Sequence, residues 1–133
     1  MSTSSDKQVL IQYRMQRAHE TLLDARLLFD QGGSPESVVN RAYYAMSYAT
    51  LALLTLEGKG SAKHSGVIAL FDQHFIKTGK LPLEMSKALH KAFDLRQFGD
   101  YRELITIDQE RATELLQSAE RFVGAVEKFL EGI

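Results

Sequence analysis

Residues 34–56 read SPESVVNRAYYAMSYATLALLTL, and this stretch decides the fold. Ser34 suits a helix N-cap, since its hydroxyl can accept an amide hydrogen that the first helical turn leaves without a partner. Pro35 then occupies the first helical position, where its missing N–H costs nothing. Beyond Arg41, residues 42–56 carry no charge. The run is too short, and too rich in tyrosine, serine and threonine hydroxyls, to span a bilayer. Its apolar side chains cover more of the circumference than one stripe of a small bundle requires. This is therefore a central helix covered by its neighbours, or one that also faces a second copy across an isologous twofold.

Working outward, every flanking segment is helical in period. On the N-terminal side Ile11, Met15, Ala18, Leu22, Ala25 and Phe29 alternate spacings of four and three, which draws one stripe down a helix of about 24 residues. Gly32 and Gly33 separate it from the central helix. On the C-terminal side a third helix is expected over about 63–78, with Ile68, Phe71 and Phe75 inward and Gly79 as its stop. A fourth, over about 82–98, keeps Met85, Leu89, Ala92 and Phe93 on one side, and Gly99 is read as its end. The last helix opens on Thr106-Ile107-Asp108-Gln109, which fits a capping box, and lines up Ala112, Leu115, Leu116, Ala119, Phe122, Val123, Val126 and Leu130. No alternating strand pattern of useful length occurs. The expectation is an all-α, single-domain, up-and-down bundle of about five helices, with two short ones between the long ones. Residues 1–6 are read as a flexible tail and 7–133 as the helical domain.

Composition narrows the function. The 133 residues are 44% apolar and 25% charged, ordinary for a globular domain and too apolar for a disordered one. Sixteen basic against seventeen acidic residues leave a net charge of −1, so any nucleic-acid contact must come from a local patch. The absence of cysteine excludes a disulfide scaffold, a thiolate metal site and a cysteine nucleophile. The polar N-terminus MSTSSDKQ lacks the regions of a signal peptide, and a cytoplasmic location with no membrane contact is expected.

Metal and phosphate-loop chemistry find no support. None of His19, His64, His74 and His90 follows a glutamate by three residues, as a di-iron bundle requires, and there is no His-Glu-x-x-His. No metal or other cofactor is expected. Gly-Lys-Gly-Ser-Ala-Lys at 58–63 lacks the strand and spacing of a phosphate loop and reads as a flexible connection. His19 and His74 fall on polar faces, and His90 has Asp94 one turn on.

Two clusters carry more. Arg41, within Asn40-Arg41-Ala42-Tyr43-Tyr44-Ala45-Met46, must find a carboxylate or snorkel to water. Asp100 is the expected partner. The second cluster is Arg96-Gln97-Phe98-Gly99-Asp100-Tyr101, where a cation, a carboxylate and a phenol meet at an expected helix end.

Together with Lys63-His64-Ser65-Gly66-Val67, Phe75-Ile76-Lys77-Thr78-Gly79-Lys80-Leu81-Pro82 and Leu95 before the second cluster, these motifs resemble the HEPN family (higher eukaryotes and prokaryotes nucleotide-binding) over roughly residues 10–130. The likeness is strongest to its stand-alone prokaryotic branch associated with minimal nucleotidyltransferases. The resemblance implies a helical bundle that homodimerises. In active members an arginine followed after four to six residues by histidine cuts RNA at the dimer cleft without metal.

Arg96 matches that arginine, but no histidine follows it, and Tyr101 stands where the histidine is expected. Histidine suits proton transfer near neutral pH far better than a phenol does. His64 or His90 would have to reach the site through space. The expected function is an RNA- or nucleotide-binding homodimer paired with a nucleotidyltransferase in a toxin–antitoxin or stress-response system. Arg41, Tyr44, Lys63, His64 and Arg96 are the candidate binding residues. The alternatives are a metal-independent endoribonuclease using Arg96 with Asp100, Tyr101 or His64, and a purely structural dimer.

Overall fold

The computed structural model describes residues 3–101 and 107–133, with side chains over 5–97 and 107–133. Five α-helices follow one another: α1 (Thr3–Asp30), α2 (Pro35–Leu56), α3 (His64–Phe71), α4 (Leu83–Tyr101) and α5 (Gln109–Glu131). No strand occurs among the described residues. The all-α bundle expected from the sequence is the fold.

The start of α2 follows its local chemistry. Ser34 accepts a hydrogen bond at 3.2 Å from the Ser37 amide, and Pro35 is the first helical residue. At the other end the Gly58 amide donates to the Thr55 carbonyl at 3.1 Å, and the Lys59 amide to Leu54 at 2.9 Å. This closure places Gly58 at φ +67°, a conformation that costs a side-chain-bearing residue free energy.

Between these ends α2 is the axis of the bundle and packs against all four other helices. Tyr43, Met46, Leu53 and Leu54 are fully buried, and Thr50 and Thr55 return their hydroxyls to carbonyls one turn earlier on α2. The circumference that suggested a second copy is thus covered largely by this chain's own helices.

The remaining helices depart from expectation in instructive places. α1 begins at Thr3, inside the stretch read as a tail. Of its expected stripe, Met15, Ala18 and Ala25 are buried, while Ile11, Leu22 and Phe29 pack half-buried around them. The segment expected as one helix over 63–78 is split: α3 gives way at Asp72 to a π-helical turn, Asp72–Ile76, before the chain turns at Gly79. Phe71 and Phe75 both still reach the core, with ring centroids 6.1 Å apart.

α4 does not stop at Gly99 but continues to Tyr101, because glycine inside a helix costs only about 1 kcal/mol relative to alanine and does not force an end. The capping box proposed at the start of α5 gives way to Asp108 as N-cap, accepting from the Arg111 amide at 2.9 Å. Gln109 is then the first helical residue and cannot reach back; Thr106 lies outside the described residues. A carboxylate at this end also meets the positive pole of the helix.

Candidate functional site

The site forms where the first half of α2, the first residue of α3 and the last described side chains of α4 converge. Tyr43 and Tyr44 are adjacent on α2, so their rings diverge. Tyr43 is buried, and Tyr44 is half-buried at the rim. His64 opens α3 and enters beside both rings, with centroids 5.5 Å from Tyr43 and 5.8 Å from Tyr44. The connection before it folds closely against the start of α3. A Cβ at Gly66 would lie 2.2 Å from Ser61 Oγ, so a larger residue there would displace the Ser61 side chain, whose hydroxyl accepts from the Lys63 amide at 3.2 Å. Phe93 on α4 closes the back of the cluster, 6.0 Å from Tyr43 and 6.4 Å from His64.

Two guanidinium groups meet one ring. Arg41, one turn before Tyr44 on α2, lies 5.2 Å from its ring centroid. Arg96, one turn after Phe93 on α4, lies 5.2 Å from the same ring and 5.5 Å from that of Tyr43. Both are cation–π distances. Arg41 is also held by Asn40 Oδ1, which accepts from its Nε at 3.2 Å and its Nη2 at 2.9 Å. The carboxylate expected for Arg41 was Asp100, whose side chain lies outside the described residues. Among the described residues, its partners are Asn40 and Tyr44.

Tyr43 Oη and His64 Nδ1 are 2.8 Å apart. Burial pushes the Tyr43 hydroxyl up to about 12, against the pull of the nearby Arg96 charge. The phenol is therefore protonated at any ordinary pH. Burial, and then Arg96, hold the His64 imidazole below the usual histidine value, so it is neutral near pH 7. When Nδ1 carries the proton it donates to Tyr43 Oη, and Nε2 keeps the lone pair a general base needs.

Of the five candidate binding residues, Arg41, Tyr44, His64 and Arg96 are brought into one cluster. Lys63 is the N-cap residue of α3 with its side chain exposed beside it. Of the candidate catalytic residues only Arg96 has a described side chain; those of Asp100 and Tyr101 lie outside it. His64 reaches the cluster and His90 does not. His90 Nε2 lies 2.7 Å from Asp72, the pair replacing the one expected with Asp94, and Asp72 also accepts from Ser86 at 2.7 Å. His19, expected to be solvated, is exposed but hydrogen-bonded through Nε2 to Glu127 of α5.

Sequence reasoning missed Tyr43 and Phe93 as members of the site. The signal for Tyr43 was its place in an uncharged helix, where a buried phenol must find a polar partner from another element.

Chemically, the cluster offers two cations around an aromatic face, a neutral imidazole and a buried hydroxyl that fixes it. Guanidinium groups take phosphate oxygens bidentately, and tyrosine rings stack on bases.

Comparison with known proteins gives this arrangement its context. The HEPN domain family model matches residues 11–129. A UPF0332 protein of Thermotoga maritima is 40% identical over 129 residues, covering 97% of each chain. A Methanocaldococcus jannaschii protein bearing the name "Putative toxin MJ0605" is 32% identical over 126 residues, 92% of this chain and 90% of its own length. A second protein of that organism, "Putative toxin MJ0142", is 38% identical over 92 residues, 69% of this chain and 63% of its own.

Proposed function

The chain belongs to the HEPN domain family, and we propose that it acts as a toxin-type module of that family, binding RNA or nucleotide at the Arg41–Tyr44–His64–Arg96 cluster as a homodimer. The observation that carries this reading is the placement of two guanidinium groups 5.2 Å from the Tyr44 ring. Guanidinium groups recognise phosphate oxygens, and the Tyr44 ring stands beside them at a half-buried rim within reach of a base. The toxin in the names of two relatives supports a toxin–antitoxin context. A nucleotidyltransferase is the partner proposed for that pair.

A second reading, metal-independent endoribonuclease, is favoured by one specific contact, the Tyr43–His64 hydrogen bond. It would let His64 replace the histidine missing after Arg96. His64 Nε2 would take the proton of the ribose 2′-hydroxyl, and that oxygen would attack the adjacent phosphorus. The 5′-oxygen would leave with a proton from solvent, producing a 2′,3′-cyclic phosphate, with Arg96 bearing the charge that develops on phosphate.

One experiment separates the two readings. Purified protein is incubated with single-stranded RNA in EDTA, following binding and chain length together. The binding reading expects retention of RNA with little or no cleavage. Vigorous cleavage abolished by His64→Gln establishes the enzyme. Absence of both overturns the site.

A further inference from the structure

Five of the seven large apolar side chains that stand exposed among the described residues are on α1: Val9, Leu10, Tyr13, Leu23 and Leu27. The core-facing stripe of α1 runs through Met15, Ala18 and Ala25. Val9, Tyr13, Leu23 and Leu27 lie on the opposite side of the helix, 51–64% exposed. An exposed leucine is unremarkable alone, but four large apolar residues in one register are not.

With Gln16 and Glu20 between them, these residues fall at 9, 13, 16, 20, 23 and 27. The spacing is four, three, four, three, four. This is the seam of a heptad repeat, with 9, 16 and 23 in one position and 13, 20 and 27 in the other.

The seam reads the same from either end. It is apolar, apolar, polar, polar, apolar, apolar, symmetric in spacing and in chemistry about residue 18. Two copies of such a helix laid antiparallel bring Val9 level with the partner's Leu27 and Tyr13 level with the partner's Leu23. Gln16 comes level with the partner's Glu20, a hydrogen-bonding layer of the kind that fixes register in coiled coils. An isologous twofold requires a self-complementary patch, and this one has that property written in its sequence.

We infer that the outer face of α1 is where two copies of this chain pair, antiparallel, about a twofold at residue 18. The inference deepens the homodimer reading above and rests on it. It also bears on the site. Arg17 flanks the seam and holds its guanidinium 5.2 Å over the Tyr48 ring, one turn along α2 from Tyr44. A twofold between antiparallel helices keeps equivalent flanks on the same side. The tyrosine rows of both copies, with their Arg41 and Arg96 clusters, then open onto one side of the dimer, as one RNA strand crossing both would need.

The chain contains no cysteine, so single introduced cysteines give unambiguous cross-links. The test is sedimentation of the wild-type protein at micromolar concentration, followed by thiol cross-linking of Tyr13→Cys and Leu23→Cys proteins, alone and mixed. A dimer that cross-links in the mixture but not with Tyr13→Cys alone is the expected result. Leu23→Glu, at an exposed position, should yield a folded monomer with an unchanged circular dichroism spectrum. A wild-type monomer overturns both the dimer and this interface. A dimer that persists in Leu23→Glu, or cross-links through Tyr13→Cys alone, overturns the interface and leaves the homodimer reading standing.

Discussion

Tyr43 Oη and His64 Nδ1, 2.8 Å apart, join the middle of the bundle to the first residue of α3 across 21 positions of sequence. The contact sets the imidazole beside Arg96, and its surroundings hold the group neutral. Acidification should therefore act on it. The folded pKa lies below the unfolded value of about 6.5, so the unfolded chain binds the proton first. Stability present above that value is lost as pH falls below it towards the folded pKa. Thermal melts between pH 8 and about 5 should show a smaller acid loss for His64→Gln than for the parent; identical slopes would mean that the environment of His64 is not the one described.

Arg41→Ala tests how that guanidinium is held. A buried ion pair broken on one side costs about 3–5 kcal/mol. The half-buried side chain here is held by Asn40 Oδ1 and the Tyr44 ring. The expected cost is about 1 kcal/mol, read from the urea midpoint. A loss in the larger range would reveal a buried carboxylate partner.

Gly58→Ala isolates the closure of α2. Nothing lies within 4 Å of the position a Cβ would take, so the substitution meets only the strain of φ +67°. It should cost about 1–2 kcal/mol and leave RNA binding unchanged. A neutral result would show that the connection can re-form with the residue on the other side of φ.

Lys63→Ala and Arg96→Ala separate two kinds of cation. Lys63 is exposed, so its loss should lower the salt slope of binding by about 1 with a modest fall in affinity. Arg96 is stacked on two rings and should matter more at every salt concentration. Equal effects from both would argue for a diffuse cationic surface.

How much of this was legible in the sequence depends on the range of the interaction. Ser34 and Pro35 start α2, and the stripe Ala112–Leu116–Ala119–Val123–Val126 lines α5, because caps and helical periods are local and repeat. Gly99 was misread because a glycine permits a helix end without compelling one. The π-helical turn at Asp72–Ile76 left no trace in the apolar period, since Phe71 and Phe75 keep the spacing of an ordinary helix. The partner of His90 was misassigned for a reason of range. Periodicity tells which face a side chain occupies, but whether His90 meets Asp94 on its own helix or Asp72 on another depends on the path of the connection. Arg41, Tyr44, His64 and Arg96 were marked by the motifs that carry the family resemblance. Their convergence on one ring needed the structure.

The central claim is that the cluster around Tyr44 binds RNA or nucleotide through Arg96, and fluorescence anisotropy of a labelled single-stranded RNA, in EDTA at low salt, tests it most directly. The wild-type protein should bind, and Arg96→Ala should bind roughly ten- to a hundredfold more weakly, the loss expected for a charge-assisted hydrogen-bond donor. Its melting temperature should stay within a few degrees of the parent. Unchanged affinity in Arg96→Ala, or no binding by the wild-type protein, would contradict the account.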